Sequence, residues 1–291
     1  MSSGSGRYAE QASYQLWHPN APSLLLLLHG LGGDRNQPLR LTADLNRNDL
    51  VVLAPDARAH GDTPLIGEPD DFTLDAMADD VVALLDRLGQ LGKPTYIAGI
   101  SMGAAVALRL ALRPLRGLFG VAFIRPAFSD QPNPANLEPL RRIADLLPLG
   151  AAGREQFTHS REYRSVLAVS PSGAASLLDQ FDKPAARERS IRLACIPGNV
   201  AWRTPNLSDV TVPTLVLGAP RDPVHPAVLA ERWAALLPHA VYHQLPTRDD
   251  DPELHETATR TLVHQHLAAS QQIDGSQQPG GGRSVDLSWQ S

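Results

Sequence analysis

The stretch TYIAGISMGAAVALRLAL, residues 95–112, joins an apolar segment to a segment rich in small residues. Its first six residues predict a strand buried on both faces, as strands of parallel sheets are. Ser101 follows this strand in the pattern Gly-x-Ser-x-Gly, and the residues after it predict a helix over 104–112. A serine that stands clear above a sheet on a sharp strand-to-helix turn needs small neighbours. The stretch therefore predicts a turn that presents Ser101 as a nucleophile.

Apolar runs and helical segments alternate on both sides of this turn. Strands are predicted at residues 24–28, 49–55, 121–125, 212–218 and 240–245, and helices at residues 73–88, 226–237 and 252–267. This alternation is typical of βαβ units with a parallel sheet. We expect an α/β fold in which helices flank a mostly parallel central sheet.

The alternation of apolar runs and helical segments stops between residues 129 and 209, where helical segments are broken by prolines and glycines and no strand is evident. We expect a core formed by residues 1–128 and 210–269, with residues 129–209 inserted as a helical cap over the site. Residues 270–291 are polar, glycine-rich and aperiodic, so a disordered tail is predicted there.

Composition limits the kinds of partner. The chain has 291 residues and a formal net charge of -5, and an acidic field repels nucleic acid and anionic membranes. Cys195 is the single cysteine, and no cluster of histidine and cysteine suggests a metal site. Neither a cofactor nor a metal is expected, and a small molecule is the expected partner.

The sequence carries no signal for a membrane or for secretion. Residues 1–12 lack the apolar core of a signal peptide. The leucine run at 24–28 is far shorter than the about 20 apolar residues that span a bilayer. A soluble cytoplasmic protein is expected, and the sequence does not define its oligomeric state.

A glycine-rich loop, HGLGGD at residues 29–34, follows the leucine run directly. Glycines allow the backbone to turn sharply and to offer a free N–H group to an oxyanion. The amides of Leu31 and Met102 are the expected oxyanion hole. The alternative, a phosphate-binding loop, lacks both the Lys-Ser/Thr pair and the spaced Gly-x-Gly-x-x-Gly.

These motifs together resemble the α/β-hydrolase superfamily, specifically its capped, esterase/haloperoxidase-like branch. The resemblance covers roughly residues 13–128 and 210–268 and is carried by residues 22–33, 55–63, 73–88, 99–103 and 212–226. Family members usually carry Asp-x-Arg-Gly-His-Gly after the third strand. Asp56, Arg58, His60 and Gly61 match that motif, while Ala59 replaces its first glycine. The resemblance implies a structural segment, with His60 as a packed loop residue.

The resemblance also implies a catalytic acid after the strand at 212–218. Asp222, in GAPRDPVHP, matches the family pattern Gly-x-x-x-Asp. A carboxylate there would hold the base imidazole in the correct tautomer. The alternative is a solvated turn aspartate.

The base is harder to place. The resemblance implies a histidine in the loop after the last strand, but residues 248–251 in that slot are Arg-Asp-Asp-Asp. His255 preserves the order Ser…Asp…His and is the predicted base, provided that the first turn of the last helix faces the site. His225 is an open alternative, because it lies three residues after Asp222. A site without a conventional histidine is the third possibility.

Two further residues are predicted near the pocket. Arg125 follows the fourth strand, at the edge where ligands bind, and could hold an anionic group or pair with a loop aspartate. Asp250 lies in the slot of the missing histidine and could act as a weak base or anchor a basic ligand. Otherwise the aspartates at 249–251 form a solvated loop.

The function implied first is hydrolysis of an ester, thioester or lactone of a small or medium organic substrate, with Ser101 as nucleophile, Asp222 as acid and His255 as base. The missing histidine motivates a different class, a lyase or cyclase that uses the pocket without an acyl-enzyme. A non-catalytic binding protein is the other alternative.

Overall fold

The predicted leucine strand is the third strand of a seven-stranded sheet in the computed structural model, which describes residues 3–45, 47–203 and 206–277. The strands are β1 (Tyr14–Trp17), β2 (Ser23–Leu28), β3 (Leu50–Pro55), β4 (Thr95–Ile100), β5 (Leu118–Ile124), β6 (Thr214–Gly218) and β7 (Ala240–Gln244). Their order across the sheet is β1-β3-β2-β4-β5-β6-β7. β1 pairs antiparallel with β3, and the other pairs are parallel.

Helices cover both faces of this sheet. They are α1 (Ser3–Gln11), α2 (Asn36–Leu39), α3 (Leu74–Arg87), α4 (Met102–Ala111), α5 (Glu138–Leu146), α6 (Ala151–Thr158), α7 (Arg161–Leu167), α8 (Pro171–Leu178), α9 (Ile191–Cys195), α10 (Ala227–Leu236) and α11 (Pro252–Gln277). Within the described ranges, no helix combines the length and the apolar character that crossing a bilayer requires. The predicted fold class, a mostly parallel sheet flanked by helices, is confirmed.

The continuous leucines of β2 follow from this layering. Leu24, Leu26 and Leu28 belong to the apolar cluster shared with α3, α4 and α10. Leu25 and Leu27 point the other way, into the cluster shared with α11. A strand that is buried on both faces favours apolar residues at every position, so residues 24–28 form an uninterrupted apolar run.

The segment after β3, predicted to be structural, is buried. Arg58 donates to both carboxylate oxygens of Asp80 on α3, from Nε at 2.7 Å and from Nη2 at 2.5 Å. Both side chains are almost fully buried. Removing one partner of such a pair would leave an uncompensated buried charge, so the pair fixes α3 against this loop.

Between β5 and β6, residues 129–203 and 206–209 carry the helices α5–α9 and pack against loops at the carboxyl edge of the sheet. Asp249, after β7, accepts from the Ser170 hydroxyl at 2.5 Å and from the Ser172 amide at 2.6 Å. Arg189 donates to the Gly61 carbonyl oxygen at 2.6 Å. These contacts fix the insertion to two separate loops of the core.

The two ends of the described chain differ from the sequence-based expectation. The predicted disordered tail begins at residue 270, but α11 continues to Gln277, so the prediction is wrong for residues 270–277. The physical reason is that Ser270 is fully buried against Gly120 of β5, where a small side chain fits. Residues 278–291 lie outside the described residues. The helix α1, which the sequence analysis did not predict, packs on α3.

His266 on α11 gives this packing a pH dependence. Burial, followed by the charge of His243, lowers the pKa of His266 from 6.5 to about 4. The Tyr96 hydroxyl donates to the Nδ1 atom of His266 at 2.6 Å, which favours the neutral ring. Between these two pKa values the unfolded chain binds a proton that the folded chain does not bind. His266 therefore stabilises the fold above pH 6.5, and this contribution is lost as the pH falls towards 4.

We expect the His266→Gln variant to lose less stability on acidification than the wild type. From pH 7 to pH 5 the free energy of unfolding should fall by about 2 kcal/mol less in the variant than in the wild type. Urea denaturation at the two pH values measures it. Equal losses in the two proteins would contradict the neutral state of the partly buried His266.

Candidate active site

Ser101 lies on the turn between β4 and α4 with φ 54° and ψ -108°. This conformation is strained for a residue with a side chain, and such strain is concentrated at functional sites. The backbone around Ser101 leaves room for glycine alone at positions 99 and 103. A Cβ atom at Gly99 would lie 2.2 Å from the Gly103 carbonyl oxygen, and one at Gly103 would lie 2.3 Å from the Leu28 carbonyl oxygen. The turn therefore tolerates no side chain at either position.

His225 connects Ser101 to Asp222. The Nε2 atom of His225 lies 2.9 Å from the Ser101 Oγ atom. Its Nδ1 atom lies 3.0 Å from each carboxylate oxygen of Asp222. A carboxylate at Nδ1 fixes the proton on that nitrogen, so Nε2 is the acceptor for the serine hydroxyl. The three side chains have the mutual geometry of a nucleophile, a base and an orienting acid.

A tight turn makes this arrangement possible for two residues so close in sequence. The His225 amide donates to the Asp222 carbonyl oxygen at 3.2 Å and to its Oδ1 atom at 3.1 Å. Aspartate at the first position and proline at the second, here Pro223, are favoured in a type I β-turn. The turn folds the imidazole back over the carboxylate of the same loop.

His255, the predicted base, is oriented elsewhere. Its Nδ1 atom donates to the Pro246 carbonyl oxygen at 2.8 Å. The charges of Asp222 and Arg125 reach this ring, so it lies in the same neighbourhood, but the imidazole bonded to Ser101 is that of His225. The prediction required the first turn of α11 to face Ser101. The hydrogen bond to Pro246 holds the ring back against the loop instead.

The resemblance implies a histidine in the loop after β7, but the aspartates at 249–251 in that loop form other contacts. Asp249 binds the start of α8, as described above, and Asp251 accepts from the Leu254 amide at 2.9 Å at the start of α11. Asp250, predicted near the pocket, is exposed and pairs with Arg221. Each aspartate of this loop thus stabilises local structure, and Asp250 is not directed at Ser101.

Arg125 pairs with Asp222. Its Nη1 atom donates to Asp222 Oδ2 at 3.1 Å, so the ion pair that the sequence left open is formed with Asp222 itself. Burial alone would raise the pKa of the Asp222 carboxyl group. The charge and hydrogen bonds of His225, followed by the charge of Arg125, instead hold this pKa well below its usual range. Asp222 is therefore ionised throughout the neutral range.

The glycine-rich loop lies beside Ser101. A Cβ atom at Gly30 would be 3.4 Å from the Cβ atom of Ser101. The Gly30 amide donates to Gln37 Oε1 at 2.7 Å, and the Gly33 amide closes a turn on the Gly30 carbonyl oxygen at 2.9 Å. Within the described part of the chain, the Leu31 and Met102 amides donate to no other residue. Their role as an oxyanion hole stays a prediction.

Two glutamines that the sequence analysis did not identify shape this loop. Gln37 accepts a hydrogen bond from the Gly30 amide. Gln180, from the insertion, occupies the space beside Gly32, and its Oε1 atom would lie 2.0 Å from a Cβ atom placed there. Gly32 also has a φ of 75°, which favours glycine. No spacing rule links either glutamine to the loop, because the contacts depend on tertiary packing.

His29, at the start of the loop, fixes its path. The Nδ1 atom donates to the Gly30 carbonyl oxygen at 2.8 Å, and Nε2 accepts from the Ala57 amide at 3.0 Å. Burial lowers the pKa of His29, which suits a neutral ring with one donor and one acceptor nitrogen. His29 therefore ties the glycine-rich loop to the segment after β3.

A mostly parallel sheet with a serine on a strained strand-to-helix turn defines the α/β-hydrolase fold. A profile of the Alpha/beta hydrolase family matches residues 25–260, and the chain belongs to this family.

Among curated relatives, the mouse (Mus musculus) sn-1-specific diacylglycerol lipase ABHD11 is 38% identical over 90 residues. The match covers 31% of this chain and 28% of the mouse protein, so the chain matches less than a third of that relative.

Solved structures match over most of the chain. The thermophilic esterase from Thermogutta terrifontis is 24% identical with a TM-score of 0.62, and the match covers 88% of this chain and 93% of that one. The enol-lactonase from Burkholderia xenovorans LB400 is 20% identical with a TM-score of 0.68, covering 88% and 96% respectively. These likenesses establish a shared fold.

Proposed function

We propose that the chain is a serine hydrolase that cleaves an ester, thioester or lactone of a small or medium organic substrate. The observation that carries the proposal is the position of His225, between the Ser101 hydroxyl at 2.9 Å and the Asp222 carboxylate at 3.0 Å. The names of the matched lipase, esterase and enol-lactonase support the same kind of bond.

The reaction follows from these positions. Ser101 Oγ attacks the carbonyl carbon while its proton passes to His225 Nε2, and the negative charge on the carbonyl oxygen is stabilised by the Leu31 and Met102 amides. Collapse of this intermediate breaks the bond to the leaving group, which takes the proton from His225. Water, deprotonated by the same nitrogen, then releases the acid and restores Ser101.

The insertion, residues 129–209, acts as the cap in this proposal. It is attached to the core through Asp249 and Gly61, on loops at the edge of the sheet that carries Ser101. A cap excludes water and selects the substrate by the shape of the space beneath it.

The lyase and pseudoenzyme alternatives were motivated by the lack of a histidine in the loop after β7. Because His225 lies at hydrogen-bond distance from Ser101, that motivation is removed and hydrolysis remains the favoured reaction.

A fluorophosphonate probe tests the proposal, since it reacts with serines that a base has activated. We expect stoichiometric labelling of Ser101 in the folded wild type and no labelling of the Ser101→Ala variant. Mass spectrometry of the labelled peptide locates the adduct. An unlabelled wild type with an intact fold would contradict an activated serine.

A further inference from the structure

A second feature of the molecule lies beside the glycine-rich loop. A cavity of about 120 Å³ that is partly open to solvent lies between the loops after β2 and β3 on one side and the insertion on the other. Holding one water takes about 10–15 Å³, so the cavity has room for a group of several heavy atoms. None of the three residues Ser101, Asp222 and His225 lines it.

Positive charge predominates in this cavity. Its cationic lining residues are Arg35, Lys183, Arg189 and Arg192, and its acidic ones are Asp34 and Asp62. Arg35 is already paired with Asp56 and Asp62. In the described residues, the other three cations form no ion pair with an acid, so their charge faces a single unpaired carboxylate, that of Asp34.

Arg192 is the unusual member of this set. The residue is 3% exposed, and its hydrogen bond from Nη1 goes to a neutral acceptor, the Arg189 carbonyl oxygen, at 2.8 Å. The buried Nε atom has no partner among the described residues. Burial, followed by the charge of Arg189, lowers the pKa of Arg192 to about 10, so the group stays charged at neutral pH. A buried guanidinium with a free donor is costly unless an acceptor occupies the cavity.

His60 supplies a second unsatisfied nitrogen. Its Nδ1 atom donates to the Arg58 carbonyl oxygen at 2.8 Å, and its buried Nε2 atom has no partner in the described part of the chain. Burial, followed by the charges of His29 and Arg192, lowers the pKa of His60 well below 6.5. The ring is therefore neutral, and Nε2 is an acceptor that requires a donor.

We infer that this cavity binds an oxyanion that retains a hydroxyl hydrogen, with the phosphate group as the best fit. In the bound state an anionic oxygen accepts from Arg192 Nε and balances the charge of Lys183 and Arg189, while a P–OH group donates to His60 Nε2. Both nitrogens are covered by neighbouring atoms in this structure, so binding includes a small shift of these two side chains. The Gly30–Gly33 turn connects this cavity to Ser101, because Gly30 contacts the serine and Gly33 lines the cavity.

Isothermal titration of the full chain with inorganic phosphate at neutral pH tests the site directly. We expect saturable binding by the wild type and unchanged binding by Ser101→Ala, so the site can be judged even if the chain proves not to be a hydrolase. Sulfate carries no hydrogen at this pH and should bind more weakly than phosphate. Sulfate binding as tight as that of phosphate would overturn the role given to His60.

Two variants locate the binding. Arg192→Met should weaken phosphate binding about tenfold or more, because a charge-assisted hydrogen bond is lost. Lys183→Met, at a partly exposed position that tolerates change, should weaken it about threefold to fivefold. The matched control Arg113→Met, at an arginine of the surface beside α3 that does not line the cavity, should bind as the wild type does. Wild-type binding no tighter than that of chloride, or full affinity in both cavity variants, would overturn the site.

Inhibition of ester hydrolysis by inorganic phosphate distinguishes two sources of the bound group, a phosphate of the substrate and free phosphate. If the site holds a phosphate group of the substrate, inorganic phosphate should compete with an ester that carries a phosphate and leave hydrolysis of p-nitrophenyl acetate unchanged. If it holds free phosphate as an effector, hydrolysis of both esters should change in parallel. Inhibition that persists unchanged in Lys183→Met and Arg192→Met would place the anion elsewhere and overturn the assignment.

Discussion

Replacing His225 by alanine should lower the kcat of ester hydrolysis by about 10⁴-fold to 10⁶-fold, the range seen when a triad base is removed. The reason is the 2.9 Å contact between His225 Nε2 and Ser101 Oγ, since without that acceptor the serine keeps its proton during attack. Hydrolysis of p-nitrophenyl acetate, followed in wild type and His225→Ala under saturating substrate, measures the loss.

His255→Ala is the matched control, because it removes a buried imidazole from the same neighbourhood. We expect its kcat to stay within about tenfold of wild type, since its Nδ1 atom is bound to the Pro246 carbonyl oxygen. Thermal denaturation of both variants separates loss of the fold from loss of the base. If His255→Ala lost activity by several orders of magnitude while His225→Ala kept it, the proton would pass through His255.

Most of the fold could be predicted because its signals are local. A strand covered on both faces is largely apolar, and β3 and the part of β2 that follows Ser23 show this pattern without interruption. The turn at Ser101 is equally visible, since the backbone atoms around Gly99 and Gly103 leave no room for a side chain. Such constraints act within a few residues and therefore leave a mark in the sequence.

The position of the base could not be predicted in the same way. Reasoning from the order of elements places a histidine after the last strand, but the chemistry requires just an imidazole nitrogen near the serine hydroxyl. Residues 222–225 satisfy that requirement from the loop after β6 by means of a tight turn. The Asp-Pro pair is a local signal for this turn. Its orientation towards Ser101 depends on how β6 sits in the sheet.

Moving the base has a structural consequence for the loop after β7. Because no residue of 248–251 is bonded to Ser101, Asp249 is free to bind the start of α8 and so to hold the insertion in place. The acid and base also share one rigid turn, so their mutual orientation does not depend on the packing of two separate loops. In this arrangement one turn preorganises His225 and Asp222, and Asp249 attaches the insertion more firmly to the core.

Asp222→Asn should lower kcat by about 10⁴-fold, comparable to the loss when a triad aspartate becomes an amide. The Asp222 carboxylate accepts from Nδ1 of His225 and thereby leaves Nε2 without a proton. An asparagine amide that donates to Nδ1 would move the ring proton to Nε2, where it blocks transfer from Ser101. The same p-nitrophenyl acetate assay measures this loss.

The control for this substitution is Asp250→Asn, at an exposed aspartate that pairs with Arg221 and lies outside the hydrogen-bonded chain of Ser101, His225 and Asp222. We expect its kcat to equal that of wild type. Because Arg125 also loses its partner in Asp222→Asn, the double variant with Arg125→Met separates the two effects. If the loss comes from the wrong tautomer, the double variant stays as slow as Asp222→Asn. If it comes from an unpaired Arg125, the double variant recovers, and the orienting role assigned to Asp222 would have to be abandoned.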